Sequence, residues 1–343
     1  MVTIAIIGAG LSGLTAANAL KDYATVTVFE KSRGVSGRMS TRRAAPYFFD
    51  HGAQFFKVRT NAFKQFVDPM IEHGIIKRWD ARFVEFKDRK IRQRSVWSES
   101  YPHYVGVPGM NAVAKHLSNG LNLRLGTRVQ FINKSPIKKK HSKWHFEDNQ
   151  GNALGEYDWV ISTVPAEQAA DLLPSSLPFF ESVSAVKMNG CFTLMLGFEK
   201  ALPLDFDAAL VHGEDIRWIS VNSSKPGRND AFCLLVHSTN TWADEHIDDH
   251  RDQLMHYLCH QTSDIIGYDL SNANHKAIHG WRFANSEKKS GETHFIDTQQ
   301  HIAVCGDWFI QGSIEAAFTS GFDMANNILK SITAGKLIEK ING

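Results

Sequence analysis

The residues best suited to chemistry come first in the chain. Gly8, Gly10 and Gly13 stand in I-I-G-A-G-L-S-G, and a carboxylate, Glu30, closes T-V-T-V-F-E. G-x-G-x-x-G after a short apolar run suits a dinucleotide pyrophosphate. Gly8 allows a tight turn, Gly10 lets the backbone approach the phosphates, and Gly13 lets the following helix pack on the preceding strand. From Ser12 onward the chain is rich in Ala and Leu and reads as that helix, whose N-terminus, with Leu11 and Ser12 at the cofactor, favours negative charge. Glu30 is placed to accept both hydroxyls of an adenosine ribose and to repel a 2′-phosphate. By itself the motif does not choose between NAD and FAD.

The residues that follow favour the longer flavin cofactor. Lys31, Arg33, Gly34, Gly37 and Arg38 lie in K-S-R-G-V-S-G-R-M. Glycines and cations in that order suit a second loop folded over the same pyrophosphate. Arg38 is the guanidinium matched to phosphate geometry. In D-H-G-A-Q-F-F, Gly52, Ala53 and Gln54 sit between bulky residues, as where a backbone presses on a flat group. Near the far end, a strand over 301–305 leads into Gly306 and Asp307, and Ser313 is placed to cap a helix opening with Ile314 and Glu315. That helix end would face the flavin edge that becomes anionic on reduction.

These elements must be positioned by an α/β scaffold. Ile4–Ile7 reads as a strand buried on both faces. Strands are expected over 123–131, 143–147 and 158–164, the last running into Ser162-Thr163-Val164-Pro165 as a crossover toward the flavin. A cofactor domain assembled from 1–57, 104–165 and 296–343 leaves 58–103 and 166–295 for a substrate domain. That domain mixes a helix over 249–259 with strands over 192–198 and 232–237. A cleft between domains is a usual place for a ligand.

This three-part pattern resembles the flavin amine-oxidase-type oxidoreductases, and more narrowly the bacterial renalase group, from Ile4 to about Lys330. It is carried by K-S-R-G-x-x-G-R-M-S (Lys31–Ser40), D-H-G-A-Q-F-F (Asp50–Phe56), V-G-x-P-G-M (Val105–Met110), W-x-x-x-N-x-S-K-P-G-R (Trp218–Arg228) and C-G-D-W (Cys305–Trp308). The resemblance implies an α/β fold: a Rossmann-like FAD-binding domain of the glutathione-reductase/amine-oxidase type, with a second, mixed α+β substrate domain. It also places Val129 against the adenine. Covalent relatives attach the flavin through a cysteine just upstream of the last motif. Cys305 occupies the strand position instead, so noncovalent FAD is expected.

Composition narrows the ligand class. The net charge is +2 and 43% of the 343 residues are apolar. That balance argues against a nucleic-acid partner. No apolar run reaches the length of a membrane span, and the first residues read as strand and not as a signal peptide. Four cysteines without a C-x-x-C predict reduced thiols in a cytoplasmic protein. Lys138-Lys139-Lys140 reads as a solvated hairpin tip. Arg89, Lys90, Arg92 and Arg94 read as an exposed strand face or as a docking strip for substrate phosphates. His256 with His260, and His275 with His279, share a four-residue spacing but lack the glutamate of a zinc helix, so no metal is expected.

The expected chemistry is hydride transfer from an organic donor to FAD, with O2 as the second substrate. The resemblance implies the 2- and 6-dihydro isomers of NAD(P)H as donors, returned to NAD(P)+ with formation of hydrogen peroxide. Gln54, Phe56, Trp281 and Arg282 are the candidate catalytic and lining residues. Two other readings stay open: oxidation of a primary amine or polyamine, and a flavin-bearing protein without catalysis. Neither isomer preference, NAD against NADP, nor the oligomeric state is set by the sequence.

Overall fold

The computed structural model describes residues 1–134 and 143–341, so the Lys138–Lys140 run lies outside the described residues. The chain forms two compact units. One holds Met1–Gly37, Ala114–Met188 and Asn285–Gly343; the other holds Arg38–Val113 and Asn189–Ala284. The fold class is α/β with a Rossmann-like unit and a second mixed unit, as expected.

The first unit is built on six strands in the order His294–Asp297, Ile302–Cys305, Trp159–Ser162, Thr3–Ile7, Thr25–Glu30 and Asn122–Leu125. All neighbours run parallel except the first pair. Ile4, Ala5 and Ile6 are fully buried, which is why this central strand is apolar without alternation. Helix Leu11–Leu20 packs on the sheet through Leu14 and Leu20, each contributing about 1.5–3 kcal/mol by burial. The closing helix, Ile314–Ile341, crosses it at Gly321, where a Cβ would stand 2.5 Å from the Ser12 carbonyl oxygen. Ser12 Oγ donates to the Ala317 carbonyl at 2.8 Å. Ser313 caps the closing helix, its Oγ accepting from the Ala316 amide at 3.2 Å.

The segment 123–131 is not one strand. Asn122–Leu125 joins the parallel sheet, Gly126 turns the chain at φ +65°, and Val129–Lys134 opens a separate antiparallel sheet with Trp144–Asp148 and Ala153–Tyr157. Apolar periodicity carried no sign of the break; the glycine did.

The second unit holds a seven-stranded sheet in the order His275–Asn285, Asn189–Phe198, Phe232–Ser238, Ile216–Val221, Ala208–His212, Arg82–Lys87 and Lys90–Val96. One face carries Phe192, Leu194, Leu196, Ile219, Leu234 and Val236 against helix Arg251–Ile266. That helix runs beyond 259 and stops at Gly267, left-handed at φ 75°. His275 and His279 lie on a strand, so their spacing puts them on one sheet face and not one helix face. At the sheet edge, Arg89 pairs with Glu214 and Asp264, Arg92 with Asp88, and Arg94 with Asp205. Paired charges on an exposed edge strand discourage edge-to-edge association. Among the described residues no helix is long and apolar enough to cross a membrane, and no His/Cys/Asp/Glu group is arranged to hold a metal. All four cysteines are free thiols.

Candidate active site

In the first unit the glycine turn is held from three sides. Gly8 sits at φ +108°, and a Cβ there would meet Thr163 Oγ1 at 2.7 Å. Thr163 Oγ1 donates to the Ile7 and Gly8 carbonyls at 3.0 and 3.1 Å, so it braces the turn. A Cβ on Gly13 would lie 2.1 Å from the Gly8 oxygen, while one on Gly10 would meet nothing within 4 Å. Buried Glu30 accepts from the Ala9 amide at 2.9 Å and the Ser32 amide at 2.8 Å. Each carboxylate oxygen keeps a lone pair for a further donor. The loop after Glu30 folds back, Ser36 N donating to the Ala9 carbonyl at 2.9 Å. A Cβ on Gly37 would be 3.5 Å from Gly10 Cα. No side chain caps the helix at Gly10. An open helix N-terminus, free space at Gly10 and a fixed carboxylate fit a dinucleotide cofactor.

Other residues expected at the cofactor have varied surroundings. Lys31 Nζ reaches Gln168 Oε1 at 3.0 Å, and Arg33 is exposed. Val129 is buried at the start of its strand. Gly306 donates its amide to Ser320 Oγ at 2.8 Å, and a Cβ there would collide with Trp308 Nε1 at 2.5 Å. Trp308 is core: it is 1% exposed and donates to the Val164 carbonyl. Asp307 is buried, its carbonyl accepting from Ile310 and Gln311. Ile314 and Glu315 form the first turn above the Ser313 cap.

In the second unit, Asp50–Phe56 lies across the sheet face opposite the apolar core. The His51 carbonyl accepts from Thr193 Oγ1 at 2.8 Å and from Trp281 Nε1 at 2.9 Å. Gln54 Oε1 accepts from Ser220 Oγ at 2.9 Å, and Phe55 packs on Trp218 and Trp97. Thr193 is paired with His237, and His237 with Trp218, so these contacts form a row across adjacent strands. Gly52 has a cause within the chain. A Cβ there would stand 1.9 Å from the Arg38 carbonyl oxygen, which accepts from the Ala53 amide at 2.9 Å. Arg38 itself is half-buried, with Nη1 donating to the Ala284 carbonyl at 2.9 Å.

Beneath this segment is a buried polar network that the sequence reading did not single out. Asp50 Oδ1 accepts from Thr41 Oγ1 at 2.7 Å and from the Met110 amide at 2.9 Å. Its Oδ2 receives Arg228 Nη2 and, at 3.4 Å, Lys225 Nζ. Lys225 also donates to Gln54 Oε1 and Asn222 Oδ1. Burial raises the Asp50 pKa, but Lys225 and Arg228 more than offset it and hold the carboxyl below its usual range. Burial brings Lys225 down to about 8. Burial, His279 and Arg42 bring His51 to about 4; burial, Lys225 and His51 bring His237 to about 3; burial and Arg42 bring His279 to about 4. These imidazoles are neutral at pH 7.

The four candidate lining residues are therefore not equivalent. The Gln54 amide is turned into the network, with Nε2 donating to the Asp50 and Gly52 carbonyls. Phe56 is 5% exposed and packs edge-on to Phe63. Trp281 is half-buried, stacked on His51 at 5.1 Å and edge-on to His279 at 4.4 Å. Arg282, the next residue on the strand, points away, is exposed and pairs with Asp248.

Two family models match the chain: an NAD(P)-binding Rossmann-like domain over residues 6–69, and the flavin containing amine oxidoreductases over residues 83–329. Among solved structures, a protein provisionally assigned as a protoporphyrinogen oxidase from Exiguobacterium sp. 255-15 superposes with a TM-score of 0.76 at 12% identity, covering 96% of this chain and 98% of that one. A triple mutant of putrescine oxidase gives 0.71 at 13% identity over 96% and 98%. Wild-type putrescine oxidase bound to putrescine gives 0.67 at 12% identity over 96% and 99%. At these identities the structural likeness is one of fold. The family match spans most of the chain and agrees with the glycine cradle: this chain belongs to the flavin-containing amine oxidoreductases and is an FAD-dependent oxidoreductase.

Proposed function

We propose that this flavoprotein oxidises the 2- and 6-dihydro isomers of NAD(P)H to NAD(P)+, with O2 reduced to hydrogen peroxide, as a renalase-like repair oxidase holding FAD noncovalently in the cytoplasm. The bound flavin supplies the hydride acceptor and passes the electrons to O2. The observation that carries the reading is the charge inventory of the second unit. Asp50, the carboxylate of the buried network, is held by two cations, and His51, His237 and His279 are neutral with depressed pKa values. Lys225 is the one group of that network brought near neutrality, and all three of its hydrogens are engaged by Asp50, Gln54 and Asn222 with its side chain fully buried, so it is not presented to a substrate as a base. A dihydropyridine gives up hydride with no proton to remove, so it needs none. The network is also cationic, which suits a pyrophosphate-bearing donor better than an ammonium ion. Trp281 is assigned to the substrate ring, whereas Arg282, on the opposite strand face and paired with Asp248, is left out of that contact.

The second reading is oxidation of an amine, favoured by the family description and by the likeness to putrescine oxidase. Anaerobic mixing separates the two. The flavin absorbance is expected to bleach rapidly with 2- or 6-dihydro-NAD, with one NAD formed per flavin. Bleaching by putrescine or another amine, and by neither isomer, would overturn the proposal in favour of the amine.

A further inference from the structure

Lys225 is enclosed on every side. Its side chain and that of Asp50 are 0% exposed, and Arg228 is 2% exposed. The ammonium donates to Asn222 Oδ1 at 3.0 Å, Gln54 Oε1 at 3.1 Å and Asp50 Oδ2 at 3.4 Å, which matches its three hydrogens. It also lies 5.3 Å from the centroid of the Trp79 ring. Arg228 adds the Gly106 and Pro226 carbonyls to its Asp50 contact. Among the described residues, Asp50 is the only carboxylate paired with either cation. The cluster thus carries one more positive than negative charge. Burying such an excess is costly, and it is met by neutral dipoles alone: the amides of Gln54 and Asn222 at Lys225 and the Gly106 and Pro226 carbonyls at Arg228. Gln54 is in turn fixed by Ser220 and by the Asp50 and Gly52 carbonyls. One ammonium therefore sets both ends of Asp50–Gln54.

We propose that Lys225 is a positioning residue for the flavin reaction: it fixes the Asp50–Gln54 segment and keeps beside it an uncompensated positive charge that favours the reduced, more negative cofactor. This rests on the reading that Gly52, Ala53 and Gln54 lie along the flavin, and it does not depend on which donor is oxidised. A buried charge is little screened by salt, so its influence persists at physiological ionic strength.

The test is a redox titration of the holoprotein with a chemical reductant and reference dyes. Lys225→Met is expected to keep its FAD and to shift the reduced-to-oxidised ratio at a given potential at least tenfold toward oxidised. For a two-electron couple that lowers the midpoint by about 30 mV. Lys225→Arg, which keeps the charge, is expected to recover most of the shift. Lys225→Gln carries the same test should the methionine protein not fold. An unchanged midpoint in a neutral variant with full flavin would overturn the proposal, as would an arginine protein shifted as far as the methionine one. If no neutral variant holds flavin while the arginine protein does, the part of Lys225 is purely structural and the electrostatic claim falls. A wild-type protein purified without flavin would instead overturn the cofactor reading beneath it.

Discussion

Gly10 and Gly13 are three residues apart and answer to different demands. A Cβ on Gly13 collides with the Gly8 carbonyl, whereas one on Gly10 enters open space. Gly13→Ala is expected to lower stability by about 1–3 kcal/mol through overpacking, seen as a lower melting temperature with or without added FAD. Gly10→Ala is expected to leave the melting temperature of the flavin-free protein unchanged and to weaken FAD binding tenfold or more by equilibrium dialysis. Equal FAD affinity in that variant would remove Gly10 from the phosphate contact. This difference in kind explains what could be read in advance. The glycine turn and Glu30 are neighbours through one strand-helix-strand unit, so order along the chain was enough. Asp50 meets Lys225 and Arg228 across 175 and 178 positions, and no local period announces such a pair. S-K-P-G-R stands out as a motif in the sequence, but the fate of its cations depends on which strand edge brings it to Asp50. Gln54 stands in an equally visible motif, and its amide serves the chain's own network.

Strand His275–Asn285 lays His275, His279 and Trp281 on one face, where imidazoles crowd each other and Arg42. Crowding and burial depress His51 and His279 to about 4 and His237 to about 3. Above pH 6.5 these groups are neutral folded or unfolded and the sheet has its full stability. As pH falls from 6.5 toward 4, the unfolded chain takes up protons that the folded one refuses, so stability falls. For His51 the loss is on the order of 2 kcal/mol by pH 4.5. The melting temperature is expected to drop across that range, and His51→Gln to flatten the drop. A flat profile in the parent protein would show that these rings are solvated. The strand itself was not foreseen, because a four-residue histidine spacing is common to one helix face and one strand face. Its β character lies in the alternation over residues 275–285 that the histidines obscure.

The chain passes between its two units at residues 37, 113, 188 and 284. The central strand Thr3–Ile7 gains its second neighbour only from Trp159–Ser162, and that strand waits for Ile302–Cys305. Such long-range pairing makes for slow folding, with the first sheet completed by the last quarter of the chain. A chain ending before Ile302 also lacks the closing helix that covers Ser12. It is expected to bind no FAD and to be cut by protease within 1–37 and 114–188, while 38–113 and 189–284, which share their own apolar core, resist. Flavin absorbance together with fragment masses reads both outcomes. A truncated chain that still holds flavin would show that the glycine cradle does not need its last strand.

The His51 carbonyl that receives Thr193 and Trp281 gives the molecule a built-in optical gauge. The Trp281 indole is stacked on an imidazole whose charge is off at neutral pH. A neutral imidazole quenches indole emission weakly, and an imidazolium quenches it strongly. In flavin-free protein the brightness of Trp281, isolated by difference from Trp281→Phe, would therefore dim along the joint titration of His51 and His279, the two imidazoles against it, and report their protonation without any added label.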